Sequence, residues 1–359
     1  MIHVVLGTKA QYIKTAPLLR LMDETNVTYR LIDLGQHGEL TKTLRHELSV
    51  RDPDVFLGGD ADITTIPQAA WWAVKLAVFA LNKRRVATEV FGRRCGVVVI
   101  HGDTPSTLLS MLLAKRVGLA VAHLEAGLTS KRLTRPFPEE AIRRIVMRYA
   151  DILFTPDDTA TAHLEKLAVK KRIRGVIVPL GANTGAEQLN VGDVRDDGPV
   201  VATMHRVENV TSKTRVAQFV QLLLGIVATR PVTLVTHGPT RRALAQAGAD
   251  VRLASAGVTI VDLLPHDTFV SLLTRAPFVI TDGGSIQEEC ARIGVPTLLW
   301  RDATERGDGL HRNVWLSGYD NGIIQTFLTG FAELRCAPTP LTTRPSQVAL
   351  DTLNAHAAR

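Results

Sequence analysis

Short apolar runs rich in Val and Ile recur along the chain and alternate with longer stretches of helical period. In the first half, residues 4–6, 31–34, 97–100, 119–122 and 152–154 read as strands, each closing on polar or glycine-rich sequence. Their near-continuous hydrophobicity implies burial on both faces, as in a parallel sheet covered by crossover helices. The alternation pauses between Gly181 and Pro199 and restarts with residues 200–203, 232–236, 258–261, 278–281 and 297–300. This predicts an α/β protein of two Rossmann-like parallel-sheet domains, residues 1–185 and 186–340, with strand ends facing a cleft. Residues 341–359 include a helical stretch expected to cross back to the first domain.

One helical segment is unusually apolar. Residues 66–90 contain Trp71, Trp72, Val74, Val78 and Leu81, interrupted by Lys75. A helix packed on the sheet or on a second subunit accounts for this run better than one lying on a membrane surface.

Composition narrows the class. The chain has 359 residues, 45% of them hydrophobic, which excludes disorder as the main state and supplies two cores. No stretch of about 20 uninterrupted apolar residues occurs, so no membrane insertion is expected. The formal charge of +7 suits anionic ligands. The basic clusters at 83–85 and 170–172 lack interleaved aromatics, which argues against nucleic acid. Cys95, Cys290 and Cys336 fit neither a disulfide framework nor a zinc spacing; with no signal-peptide pattern at the start, they point to the cytoplasm. His163 and Glu165 come nearest to a metal-ligand pair but have no third ligand close by, so no protein-held metal is expected.

The chemistry-bearing residues gather at predicted strand ends. Residues 97–100 open into His101-Gly102-Asp103-Thr104, and residues 119–122 into His123-Leu124-Glu125-Ala126-Gly127. Asp103 and Glu125 are thus placed for acid, base or anchoring work, although a helix N-cap and a turn anchor would explain them as well. Pro138-Glu139-Glu140 reads as a helix start with acids at the positive end of the dipole. If all three acids converge, mutual repulsion would raise at least one pKa. In the second half, Asp282-Gly283-Gly284-Ser285 links a strand to a helix and offers backbone N–H groups to phosphate. The turn matches neither a dinucleotide fingerprint nor a Walker loop. Glu289 lies further along that helix and suits a ribose, while His205, Arg206, Lys9 and Lys14 offer cationic or hydrogen-bonding groups to an anion.

Taken in order, these segments resemble the non-hydrolysing UDP-N-acetylglucosamine 2-epimerase family. The matching stretches begin with Gly7-Thr8-Lys9-Ala10-Gln11-Tyr12-Ile13-Lys14, Gly35-Gln36-His37, His101-Gly102-Asp103-Thr104 and Glu125-Ala126-Gly127-Leu128. They continue with Pro138-Glu139-Glu140-Ala141, His205-Arg206-Val207-Glu208, residues 282–289 and residues 301–306. The resemblance implies the GT-B fold, a homodimer, no cofactor, and UDP-N-acetylglucosamine or a related UDP-sugar as substrate. It implies inversion at C2 by elimination of UDP to a glycal and re-addition. It also implies proton transfer by Asp103, Glu125 and Glu139, with His205 beside the leaving diphosphate. Gly283, Gly284 and Ser285 would meet the diphosphate, Glu289 the ribose, and Lys9, Lys14, Arg206 and Arg301 would assist binding. Gln36, His237 and Arg206 correspond to an activator site in bacterial members.

Several positions depart from the family pattern. Gly7-Thr8-Lys9-Ala10-Gln11 stands where Gly-Thr-Arg-Pro-Glu is usual, exchanging a forked guanidinium for a point charge and losing an acid. Thr129-Ser130 replaces Arg-Thr, Gly283-Gly284-Ser285 replaces Ser-Gly-Gly, and His205-Arg206-Val207-Glu208 replaces His-Arg-Arg-Glu. A glycosyltransferase on the same scaffold and a non-catalytic UDP-sugar binder remain alternative readings, because fold alone does not fix chemistry.

Overall fold

The structure, a computed structural model, describes residues 1–36, 38–58, 63, 66–92, 95–130, 138–189 and 194–357. The chain divides into two compact units, Met1–Gln188 with Leu341–Arg359, and Leu189–Pro340. His37 of the Gly35-Gln36-His37 stretch lies outside the described residues, as do Lys131 and Arg132, which follow Thr129-Ser130, and Gly192 in the pause between the two halves.

The first unit carries seven strands: β1 (Ile2–Leu6), β2 (Tyr29–Asp33), β3 (Val55–Phe56), β4 (Val97–His101), β5 (Ala120–Leu124), β6 (Ile152–Thr155) and β7 (Val176–Pro179). They form one parallel sheet in the order β3-β2-β1-β4-β5-β6-β7. Alternate residues of β4 feed opposite layers, Val98 and Ile100 one core, Val97 and Val99 the other. Both faces are therefore covered, which is why the strands read as continuous apolar runs. The helix Pro345–Ala357 returns to this unit and buries Ala349, Leu350 and Leu353 beside Leu18 and Val4.

The second unit repeats the scheme with β8 (Val200–Thr203), β9 (Val232–Thr236), β10 (Thr259–Asp262), β11 (Val279–Thr281), β12 (Thr297–Leu299) and β13 (Val314–Leu316). Their order is β10-β9-β8-β11-β12-β13, again all parallel. Each sheet therefore has a switch point where the winding reverses, between β1 and β4 and between β8 and β11. Ligands in doubly wound sheets bind outside the carboxyl ends at such points.

The sequence pattern did not nominate β3, β7 or β13. All three lie at sheet edges, and β7 is largely exposed, so the two-sided burial that marks a central strand is absent there. Among the described residues no helix is long and apolar enough to cross a membrane.

Candidate active site

Register builds the cluster at the strand ends of the first unit. Leu124 of β5 pairs with His101 of β4, which sets Glu125 level with Gly102 and next to Asp103. Gly102 turns with φ +72°, and a Cβ placed on it would sit 3.7 Å from Glu125 Oε2. His123 Nε2 bonds the Gly102 carbonyl at 2.7 Å. A carbonyl only accepts, so Nε2 carries the proton; burial pushes this imidazole down to about 4 and keeps it neutral.

The helix Pro105–Val117 is capped by Thr104, not by Asp103. The N-cap reading of Asp103 therefore fails, and its carboxylate accepts instead from buried Arg143 Nη2 in a short hydrogen bond. Arg143 lies one turn along the helix Glu139–Tyr149, so the element that begins with Glu139 reaches Asp103 through its arginine. Arg143 Nη1 is in turn held 3.0 Å from Glu140, which is fully buried. Burial alone would raise the Glu140 pKa. Hydrogen bonds from Thr129 and Ser130, together with Arg144 and Arg143, reverse this and bring it below the ordinary glutamate value. Thr129-Ser130, which departs from the family pattern, thus anchors the helix carrying Glu139.

Glu125 has its own cation. Lys14 Nζ lies 2.5 Å from Glu125 Oε1, and Asn183 Nδ2 donates to the same oxygen at 3.0 Å. Glu125 also adopts φ +67°, uncommon for a residue with a side chain. Gly127, two residues on, has φ +92°, and a Cβ there would lie 2.5 Å from the Ala160 carbonyl, so only glycine fits. The carbonyl of Gly127 also pairs with His163 Nδ1 at 2.7 Å.

In the second unit a separate cluster forms around Asp282, which is fully buried at the end of β11. Its carboxylate accepts from the backbone N–H of His205 at 3.0 Å and of Arg206 at 2.9 Å, and from Asn209 Nδ2 at 2.9 Å. One acid thus shapes the whole turn after β8. Gly283 and Gly284 are glycines for a reason that the sequence did not reveal. Their φ values are not left-handed, but a Cβ on Gly283 would lie 2.9 Å from His205 Cε1 and one on Gly284 3.0 Å from Arg306 Nε. Exposed Ser285 follows in the first turn of the helix Gly284–Ile293.

A charged lattice surrounds that helix start. Buried Arg301 Nη2 donates to Glu305 at 2.7 Å, Arg306 Nη1 donates to Glu288 at 3.0 Å, and Arg206 lies 3.9 Å from Glu305. Burial would raise the Glu305 pKa, but Arg301, Arg206 and Arg306 outweigh it and hold the carboxyl at about 2. Arg301 Nη1 is buried with no protein partner among the described residues. Glu289 receives His266 Nε2 at 3.0 Å. His237 caps the helix Gly238–Gln246 and stacks on His205 with ring centroids 4.8 Å apart. Lys9 opens the first helix after β1, and Gln36 follows β2 with a buried Oε1 that has no partner among the described residues. Among the described residues no group of three or more His, Cys, Asp or Glu is placed to hold a metal.

A family model described as UDP-N-acetylglucosamine 2-epimerase matches residues 20–329. The UDP-N-acetylglucosamine 2-epimerase of Methanocaldococcus jannaschii is 26% identical over 85% of this chain and 84% of its own length. The UDP-2,3-diacetamido-2,3-dideoxy-D-glucuronate 2-epimerase of Pseudomonas aeruginosa is 27% identical over 85% and 84%. The crystal structure of the M. jannaschii enzyme with UDP-GlcNAc and UDP superimposes over 99% of each chain, with 25% identity and a TM-score of 0.81. The chain belongs to the UDP-N-acetylglucosamine 2-epimerase family. Its two parallel-sheet units are those of the GT-B class, and the family is one of isomerases.

Within this epimerase family the Gln11 departure takes on a structural meaning. Gln11 is buried between the two strand ends of the switch point. Its Oε1 accepts from the N–H groups of Gly7 at 2.8 Å and Thr8 at 3.1 Å, while Nε2 donates to the His101 carbonyl at 2.8 Å. The side chain is a crosslink below the site. The sequence named Gln11, Glu140 and Asp282 within its motifs without showing these contacts, and it gave no role to Arg143 or Asn183. Arg143 had one legible signal, its helical spacing from Glu139; Asn183 reaches Glu125 across 58 residues and had none.

Proposed function

We propose that the protein inverts C2 of UDP-N-acetylglucosamine, or of a UDP-HexNAc modified elsewhere on the ring, by eliminating UDP to a glycal and adding it back. Asp103, Glu125 and Glu139 transfer the protons. As the C2–H electron pair becomes the C1–C2 double bond, the C1–O pair departs with UDP; the reverse addition protonates the opposite face. A C2–H beside an acetamido group is a weak acid, so base and leaving-group stabilisation must act together. The observation that carries this reading is the pair of carboxylates on adjoining strand ends, Asp103 and Glu125, each held by its own cation.

His205, backed by Asp282, stabilises the departing charge. Gly283, Gly284, Ser285, Lys9, Arg206 and Arg301 meet the diphosphate, and Glu289 takes the ribose. The buried, unpartnered Nη1 of Arg301 supports an anion there. Gln36 and His237 serve an activator site, supported by the stacking of His237 on His205.

The protein is a cytoplasmic homodimer in this reading. Its three cysteines are unpaired, as a reducing compartment requires. On the helix Ile66–Leu81, Trp71, Val74, Val78 and Leu81 are exposed while Trp72 and Leu76 are buried. Their three-four-three spacing is that of a helix–helix seam, which favours a second subunit over a lipid surface.

Incubation with UDP-sugars in D₂O tests the chemistry. Deuterium at C2 with formation of the 2-epimer is the expected result. Transfer of sugar to an acceptor without C2 exchange would point to a glycosyltransferase, and retention of UDP-sugar without either reaction to a binder.

A further inference from the structure

We propose that Lys14 and Asn183 form a clamp that aims the Glu125 carboxylate at the sugar, so that Lys14 serves the proton-transfer step rather than the diphosphate. The target of Glu125 rests on the epimerase reading; the clamp itself rests on geometry. Both jaws close on one oxygen, Lys14 Nζ at 2.5 Å and Asn183 Nδ2 at 3.0 Å from Oε1. All three residues are at most slightly exposed, with relative side-chain exposures of 10% for Lys14 and 8% for Glu125.

Both jaws rise from a fixed base. A Cβ on Gly185 would lie 3.0 Å from Lys14 Cα, so the loop packs directly against the lysine stem. Thr184 donates a short hydrogen bond to the Lys14 carbonyl, and Gln188 Nε2 another to that of Ile13. Asn183 is itself oriented by the Gly185 N–H, which donates to its Oδ1 at 2.9 Å. Turning Lys14 toward a phosphate would strip a buried carboxylate of its cation, an arrangement that low-dielectric surroundings oppose. The backbone of Glu125 shows the same over-determination, since its φ of +67° persists only where neighbours enforce it.

The two acids thereby differ in kind. Asp103 is held by a planar guanidinium locked to Glu140, whereas Glu125 is held by a point-charge ammonium and an amide. Gripping Oε1 fixes the direction of the whole carboxylate, whose Oε2 stands 3.9 Å from His101 Nδ1. Positioning of this sort acts on kcat, because it matters only when the proton moves.

The test combines C2 deuterium exchange kinetics with UDP affinity by titration calorimetry for Lys14→Met, Lys14→Arg and Asn183→Ala. Lys14→Met should lower kcat by about 100-fold or more with KM and UDP affinity changed by less than about threefold. Lys14→Arg should recover part of that loss, and Asn183→Ala should show the same split at about tenfold. A loss of UDP affinity of about tenfold with kcat preserved would return Lys14 to the diphosphate and overturn the clamp, as would normal kcat in both Lys14→Met and Asn183→Ala. If Lys14→Met shows no thermal transition, the Lys14→Arg and Asn183→Ala variants decide by the same criteria. A wild type that exchanges no C2 proton with any UDP-sugar would remove the epimerase reading. The clamp would then be judged by affinity alone, supported if Lys14→Met binds UDP normally and overturned by a loss of about tenfold.

Discussion

His123 shows how a single side chain beneath the site ties folding to pH. Its folded pKa is about 4 against an ordinary value of 6.5, mainly through burial. Between those values the unfolded chain binds a proton that the folded ring refuses, so this contribution to stability is complete above pH 6.5 and is lost as pH falls toward 4. The full shift is worth about 3 kcal/mol. His3, also lowered to about 4 by burial, adds a second contribution in the same window. Thermal unfolding followed from pH 7 to 4.5 should therefore show declining stability, and His123→Gln should flatten roughly half of the decline. An unchanged slope in that variant would place the titration elsewhere.

Gln11 makes a second argument at the same scale. Replacing it by the family's usual glutamate would turn an amide donor toward the His101 carbonyl into an acceptor facing an acceptor. Gln11→Glu should cost about 1–3 kcal/mol, the scale of a buried polar group left unmatched, readable in the urea midpoint. The sequence exposed the acids because strand ends and motif order mark them. It did not expose Gln11 or Asn183, whose importance comes from contacts between elements remote in the chain.

Elements explain which parts of the site could be read in advance. Central strands carry their own label, continuous apolar residues ending in a polar turn, and those turns hold Asp103, Glu125, His205 and Asp282. Edge strands β3, β7 and β13 lack that label because one side is unpaired and burial is partial. From sequence the turn at 282–284 reads as a phosphate cradle; in the structure its glycines make room first for His205 and Arg306. Gly283 has φ −82°, which alanine tolerates, so Gly283→Ala should leave the backbone intact and displace the His205 ring instead. UDP affinity should fall by about tenfold while the melting temperature stays within a few degrees; unaltered affinity would detach His205 from the diphosphate. The helix Ile66–Leu81 supports a further expectation. Trp71→Asp with Val78→Asp touches only exposed positions, so the fold should survive while sedimentation shifts from dimer to monomer. A persistent dimer would place the interface on another surface.

At the scale of the molecule, the proposed reaction divides its labour between two units built on the same strand order. The acids with their cations stand at the switch point of Met1–Gln188, and the glycine turn with its arginines at that of Leu189–Pro340. This separation predicts that binding and chemistry can be lost independently. A ligand at 100 times its Kd stabilises the folded state by about 2.7 kcal/mol, so saturating UDP should raise the melting temperature measurably. Asp103→Asn and Glu125→Gln should retain that rise while C2 exchange drops by about 100-fold or more, because neither residue belongs to the proposed nucleotide cradle. Arg301→Gln should do the opposite at low substrate. It removes the guanidinium that pairs with Glu305 and carries the unpartnered Nη1, so the UDP-induced rise should shrink and KM should climb. An Asp103→Asn enzyme that no longer responds to UDP would show that the two duties are not divided between the units.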